Sequence, residues 1–158
     1  FGETKADTAD KVVENWEQLK MTEKDGNKSI LSGVPVSMPS LIKAYRMQEK
    51  AANVGFDWDN KDGAWEKVRE EITEVEVEMK KGDKENFEKE FGDLMFSLVN
   101  AARLYGINPD NALEMTNAKF RARFNYVEEK SIGQGRTLKD MTLEEMDELW
   151  NEAKRKGL

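Results

Sequence analysis

Two neighbouring segments of the chain place apolar residues every three or four positions, which is the spacing of one face of an α-helix. The first segment carries Val68, Ile72, Val75 and Met79, and the second carries Phe87, Phe91, Leu94 and Leu98. Gly82 and Asp83 lie between the two segments. Glycine favours the position just after a helix end, and aspartate favours the N-terminal cap of a helix. The pattern therefore predicts an antiparallel helical hairpin within residues 65–105.

Acidic residues follow a matched register on the two predicted helices. Glu71 and Glu74 are three residues apart on the first helix, and Glu90 and Asp93 are three apart on the second. At about 100° per residue, each pair falls along one edge of its apolar stripe. The pairs are also symmetric about Gly82, so at ~1.5 Å rise per residue both reach the same height, roughly 12 Å from the turn. We expect the four carboxylates to converge on one patch.

Converging carboxylates repel one another unless a cation lies among them. Oxygen ligands favour a hard cation, Mg²⁺ or Mn²⁺, over zinc. The chain has no histidine and no cysteine, which removes the usual ligands of zinc and di-iron sites and excludes disulfides and thiol catalysis. A solvated acidic helix face is the alternative interpretation, because charged residues make up 36% of the chain. The matched register favours a metal site.

The remaining chain is also predicted to be helical. It has only three prolines, and alternating strand patterns are scarce, which predicts an all-α helical bundle. We divide the whole chain into an N-terminal helix and loop, residues 1–38, and a main domain, residues 39–158. Predicted helix starts lie near Thr8, Pro39, Asn108 and Thr142, and predicted breaks lie at Gly55 and residues 131–139.

Composition limits the classes of partner. The net charge of −7 disfavours long nucleic acids, because binding them requires a basic surface. No apolar run approaches the ~20 residues of a membrane span, and no signal peptide is recognisable. The absence of cysteine is compatible with a reducing cytoplasm, which is the localisation we expect. The chain begins at Phe1 without an initiator methionine, which suggests a fragment of a longer protein.

The carboxylate motif resembles that of a known family. Glu70-Glu71-x-x-Glu74 followed by Glu90-Phe91-Gly92-Asp93 is similar to the EExxE…ExxD signature of MazG-type nucleoside triphosphate pyrophosphohydrolases, which belong to an all-α superfamily. Three longer stretches resemble blocks of the same family in the same order: VGFDW at 54–58, EFGDLMF at 90–96 and NAKFRARF at 117–124. The resemblance covers about residues 16–154 and is to the C-terminal of two related domains found in tandem in this family.

The resemblance implies an Mg²⁺-dependent reaction. The expected substrate is a nucleoside triphosphate, hydrolysed between the α and β phosphorus to a nucleoside monophosphate and pyrophosphate, with broad base selectivity. Glu71, Glu74, Glu90 and Asp93 are the expected metal ligands. Glu70 points to a different side of the helix, so we assign it a supporting or packing role. With no histidine in the chain, the general base must be a carboxylate or a metal-bound hydroxide.

Basic and polar residues beyond the hairpin are candidates for substrate contacts. Lys119 and Arg123 are four apart on one helix face, and the resemblance favours catalytic phosphate contacts over an exposed basic face. By the same resemblance Trp150 and Lys154 reach the nucleotide; in the alternative, Trp150 is core and Lys154 is solvated. Asn100 lies on the same helix edge as the carboxylates. It would form a hydrogen bond with a metal-bound water or a sugar hydroxyl; in the alternative, it has no specific role.

Several alternatives remain open at the level of sequence. Phe56 and Trp58 either close one end of the bundle, the favoured interpretation, or form a nucleobase platform. The superfamily resemblance implies a homodimer, for which Met95, Val99 and the N-terminal helix offer apolar surface. Two alternatives to a broad pyrophosphohydrolase remain. The protein is either a non-catalytic metal-binding or partner-binding bundle, or a base-selective relative that acts on dUTP or dCTP. The preferred base and sugar and the number of metal ions are undetermined.

Overall fold

The computed structural model describes residues 29–158, and that part of the chain contains five α-helices and no β-strand. The helices are α1 (Ser40–Ala52), α2 (Lys61–Lys81), α3 (Lys84–Leu104), α4 (Pro109–Gly133) and α5 (Leu143–Arg155). Short 3₁₀ helices at Ile30–Gly33 and Leu138–Asp140 precede α1 and α5. The predicted all-α class is confirmed. The predicted helix near Thr8 lies outside the described residues.

Local capping signals account for several of the helix ends. Gly82 has φ 74° and ends α2, and the Asp83 side chain caps α3 by accepting from the backbone N–H groups of the next turn. A reciprocal capping box between Thr142 and Glu145 begins α5. These three predictions are confirmed. The predicted polar connection at 131–139 is shorter than expected, because α4 continues to Gly133.

The described residues up to Pro109 form one compact unit organised around the α2–α3 hairpin. α1 packs against α3, and the first 3₁₀ helix packs against α1. Ala64 and Val68 of α2 meet Ala101 of α3 in a buried cluster, with Leu94 and Leu104 packed beside it. The small side chains at its centre leave room for the two helices to approach closely.

Half of the predicted apolar stripe stays accessible to solvent. Val68 is buried, whereas Ile72, Met79, Phe91 and Leu98 each keep about half of their surface exposed. Within a single chain, the described residues do not cover this side of the hairpin. Met95 is exposed as expected, but the expectation that Val99 offers free apolar surface is wrong, because Val99 is buried.

Residues Asp110–Leu158 form the second compact unit. Val127, Ser131, Met141 and Ala153 are its buried residues. The Tyr126 hydroxyl donates to Glu152 Oε1 at 2.6 Å, which ties α4 to α5. None of the described helices combines the length and apolarity that crossing a membrane requires.

Candidate metal and substrate site

The hairpin brings three of the predicted metal ligands together. One carboxylate oxygen from each of Glu71, Glu90 and Asp93 lies within 4.8 Å of the other two. Glu71 is buried, Glu90 is half-buried and Asp93 is exposed, so the group lies where the hairpin interior opens to solvent. α2 contributes one carboxylate and α3 contributes two.

Glu71 has the most unusual surroundings of the three. Its Oε1 is ion-paired with Lys67 Nζ at 2.6 Å, and only 6% of its side chain is exposed. Its Oε2 is buried and accepts no hydrogen bond from any residue that the structure describes. A buried carboxylate oxygen without a partner is costly. Together with the all-oxygen donor set, it shows that these residues fit a divalent cation.

Lys67 was not singled out from the sequence, although it precedes Glu71 by one helical turn, the spacing of an ion pair. Its ammonium also contacts Glu70 Oε1 at 3.1 Å. Hydrogen bonds to Glu71 and Glu70 hold the pKa of Lys67 above its usual range. Lys67 therefore keeps its positive charge beside the carboxylate group.

Glu74 is not part of the group of three. Its side chain is exposed on α2. Three residues correspond to about 300° around a helix, so Glu74 is rotated about 60° from Glu71. Partial desolvation, followed by the negative charges of Glu71, Glu70 and Glu90, raises the pKa of Glu74. It therefore lies close enough to the other carboxylates to be affected by their charge.

A cavity of about 630 Å³ adjoins the carboxylates within the first unit. Its charged lining residues are Glu71 and Asp93 of the carboxylate group, Lys67, Asp57 and Arg103. The rest of its lining is mostly apolar, with polar side chains interspersed, and comes from α1, α2, α3, the first 3₁₀ helix and the turn after α1. These residues include Leu31, Met47, Ala51, Phe56, Trp58 and Phe96. An apolar cavity with a few polar groups is typical of a small-molecule site.

The turn after α1 is held onto α3 by an ion pair. The Arg103 guanidinium donates through two nitrogens to the two carboxylate oxygens of Asp57, one of them at 3.0 Å. Asp57 also accepts from the backbone N–H of Trp58. The Trp58 ring lies against Gly63, where a Cβ would be 2.8 Å from Trp58 Cε3. Sequence reasoning missed this arrangement, because Asp57 and Arg103 are 46 residues apart.

The two aromatic residues of this turn do not pack inside the bundle. Phe56 is 83% exposed, so the expectation that it closes one end of the bundle is wrong. Trp58 is 44% exposed, and both line the cavity. The Asn100 side chain also lines the cavity, and its Oδ1 accepts from Arg103 Nη2 at 2.8 Å. Asn100 is therefore part of the network that holds the turn.

The other predicted substrate contacts belong to the second unit. Lys119 and Lys154 are exposed on α4 and α5. Arg123 Nε donates to the Leu158 carbonyl oxygen at 2.7 Å, and its guanidinium lies 5.7 Å from the Trp150 ring centroid. Trp150 is half-buried. Arg123 and Trp150 thus form a cation–aromatic pair within this unit.

Comparisons with known proteins identify the matching family and relatives. Residues 62–128 match the MazG nucleotide pyrophosphohydrolase domain. The nucleoside triphosphate pyrophosphohydrolase of Escherichia coli K12 is 38% identical over all of this chain and 62% of its own length. The nucleoside triphosphate pyrophosphohydrolase/pyrophosphatase MazG of Thermotoga maritima is 41% identical over 88% of this chain and 54% of its own length. YabN of Bacillus subtilis, an uncharacterized protein, is 49% identical over 98% of this chain and 32% of its own length. The chain thus spans less than two thirds of each of these relatives, and the predicted family resemblance is confirmed.

Proposed function

Because this chain is a relative of the MazG nucleoside triphosphate pyrophosphohydrolases, we propose that it hydrolyses nucleoside triphosphates to nucleoside monophosphates and pyrophosphate. The observation that carries the proposal is the carboxylate group of Glu71, Glu90 and Asp93 beside the cavity. All three residues lie within the matched segment 62–128. A triphosphate requires charge neutralisation at one end, which a cation held by the carboxylates would supply, and room for a nucleoside at the other, which the cavity would supply.

The carboxylates would hold one or more divalent cations, Mg²⁺ or Mn²⁺. Glu71, Glu90 and Asp93 supply the primary oxygen ligands, and Glu74 supplies a further one from its exposed position. When bound, such a cation neutralises phosphate charge and lowers the pKa of a bound water.

Lys67 would provide a positive charge at the acidic end of the cavity. Its Nζ is 2.6 Å from Glu71 Oε1 and also reaches Glu70. A flexible lysine can exchange one carboxylate partner for a phosphate oxygen while it keeps the other. Glu70 would then hold Lys67 in place, which gives this glutamate the supporting role expected of it.

The remaining basic residues complete the proposal. Lys119 and Arg123 would contact the phosphate groups and stabilise negative charge in the transition state. Trp150 would pack on the nucleotide, and Lys154 would add charge near it. The Arg123–Trp150 pair supports a joint role, since both side chains already lie together. Asn100 would either hold Arg103 in position or form a hydrogen bond with a sugar hydroxyl of the nucleotide.

The protein would act on several bases and remove unwanted nucleotides from the cytoplasmic pool. It would do so as a homodimer, for which the exposed apolar side of the hairpin is the proposed interface. Ile72, Phe91, Met95 and Leu98 supply that surface. Light scattering that gives twice the mass of one chain would support the dimer, and a monomer at micromolar concentration would contradict it.

Product analysis tests the proposed reaction. The chain is incubated with a panel of ribo- and deoxyribonucleoside triphosphates and Mg²⁺, with a metal-free control, and the products are separated by anion exchange. We expect monophosphate and pyrophosphate from most bases, and none without metal. Diphosphate and orthophosphate would contradict cleavage between the α and β phosphorus. Turnover of dUTP or dCTP alone would support a base-selective enzyme. Metal binding without turnover would support a regulatory bundle.

A further inference from the structure

The lining of the cavity follows the hairpin and differs at its two ends. Its α3 lining runs from Asp93 to Arg103, ten residues that span roughly 15 Å at the rise of an α-helix. Glu71 lies at the Asp93 end, in the carboxylate group. Trp58 lies at the other end, on the turn that Arg103 holds. A cation held by the carboxylates would place a phosphate tail at the Asp93 end. Asp57 and Arg103 neutralise each other at the far end, so an uncharged moiety suits the rest of the cavity.

Gln48 of α1 lines this cavity and is buried, with 7% of its surface exposed. Its Nε2 donates to the Phe96 carbonyl oxygen at 2.9 Å, which fixes the orientation of the amide. Its Oε1 is buried and accepts no hydrogen bond from the part of the chain that the structure describes. An unpaired buried acceptor is costly, and a ligand that donates a hydrogen bond to it removes that cost.

We propose that the nucleoside end of the substrate occupies the apolar part of the cavity and donates a hydrogen bond to Gln48 Oε1. Gln48 is then a specificity-determining residue. The inference rests on the proposed function, because it places the nucleoside of a triphosphate whose phosphates lie at the carboxylates. The donor is an N–H of the base or an O–H of the sugar, since each is a neutral donor on the nucleoside.

The aromatic turn supports a planar occupant in this part of the cavity. Phe56 and Trp58 line it and are more exposed than aromatic residues of a sealed core. The Asp57–Arg103 ion pair holds the turn on α3, and Gly63 leaves room for the Trp58 ring. An aromatic side chain held at the rim of a cavity is suited to stacking on a base.

A Gln48→Met variant tests the inference, because methionine keeps the length of the side chain and removes the acceptor together with the Nε2 donor to Phe96. Steady-state kinetics are measured with ribo- and deoxyribonucleotides of each base. We expect KM to rise roughly tenfold, the effect of one neutral hydrogen bond, with kcat within about twofold of wild type. The exposed Gln134→Met variant is the matched control and keeps both constants.

The pattern across substrates identifies the donor. A KM effect present for ribonucleotides and absent for deoxyribonucleotides assigns it to the sugar 2′-hydroxyl. An equal effect on both sugars assigns it to the base or to the 3′-hydroxyl, and nucleotides methylated on the base nitrogens separate these two. An active wild type whose KM values are unchanged by Gln48→Met overturns the inference and leaves the proposed function intact.

Two further measurements keep the test decisive. If the wild type shows no turnover, the proposed function fails, and the Kd of ATP with Mg²⁺, measured by calorimetry for wild type and Gln48→Met, then decides the inference. If Gln48→Met does not fold, wild-type KM values for the 2′-deoxy, 3′-deoxy and N-methylated nucleotides decide it. An unchanged Kd, or equal KM values for all these analogues, overturns it.

Discussion

Replacing Glu71 by glutamine distinguishes its contribution to metal binding from its contribution to the stability of the fold. The substitution keeps the shape of the side chain and removes one negative charge from a position that is 6% exposed. Two opposing effects act on the metal-free protein. The 2.6 Å ion pair with Lys67 is lost, which costs up to about 1 kcal/mol for a pair with an accessible partner. The substitution also removes the buried charged oxygen that has no partner, and this gain in stability offsets a similar amount of free energy.

Without metal, the variant should therefore unfold at a temperature close to that of the wild type. A net change within about 1 kcal/mol corresponds to a Tm within roughly 2–4 °C for a chain of this length. Lys67 keeps Glu70 as a partner at 3.1 Å, so its ammonium is not left alone. Circular dichroism at 222 nm during heating measures both the helix content and the Tm.

Divalent cation should reveal the difference between the two proteins. At a Mg²⁺ concentration 100 times its Kd, binding stabilises the folded wild type by about 2.7 kcal/mol, which raises the Tm by roughly 5–10 °C. Glu71→Gln should lose most of that increment, because a buried ligand oxygen is replaced by an amide group. Glu88→Gln is the matched control, because Glu88 is an exposed glutamate of α3 outside the carboxylate group.

The outcome can refute the assignment of Glu71 as a ligand. An Mg²⁺ increment in Glu71→Gln equal to that of the wild type would show that the cation binds elsewhere. Loss of the increment in both Glu71→Gln and Glu88→Gln would show a diffuse response to net charge. A large fall in the metal-free Tm of Glu71→Gln would mean that the ion pair, and not the metal, accounts for the burial of this carboxylate.

Three further predictions concern the fold and the turn. Val68→Ala should lower the stability by about 2 kcal/mol, because it leaves a void in the buried hairpin cluster, and urea unfolding measures it. A hydrogen bond from Arg136 lowers the pKa of Glu145 to about 2, so its contribution to stability is present above the unfolded value of 4.5 and is lost as the pH falls towards 2. The Tm difference between wild type and Glu145→Gln should accordingly shrink over that range, and a constant difference would contradict it. A double-mutant cycle of Asp57→Ala and Arg103→Ala should give a coupling of about 1–3 kcal/mol in urea unfolding, and additive effects would show that the pair is not made in solution.

The hairpin was predictable because its signals are local. Gly82 and Asp83 act on the turns beside them, and the spacing of Glu71, Glu90 and Asp93 converts directly into position along a helix. The position of Glu74 was less predictable, because a rotation of about 60° separates a side chain in the interior from one in solvent. Periodicity alone does not resolve that difference at the edge of an apolar stripe.

The cavity beside the carboxylates was not predictable, because it depends on contacts between distant parts of the chain. Gln48 meets the Phe96 carbonyl across 48 residues, and Asp57 meets Arg103 across 46. Neither pair has a spacing that a single sequence reveals. Burial of the apolar stripe was overestimated for a related reason, since a helix pattern predicts an apolar face but does not name what covers it.

The most direct test of the account is the rate of pyrophosphate release from a nucleoside triphosphate as a function of Mg²⁺ concentration. Wild type, Glu90→Gln and the control Glu88→Gln are compared, since both substitutions remove one charge from α3 and only Glu90 lies in the carboxylate group. The account predicts saturable Mg²⁺-dependent release in wild type and control, with a loss of at least about a hundredfold in Glu90→Gln. Equal rates for the two variants would contradict the assignment of the reaction to this site.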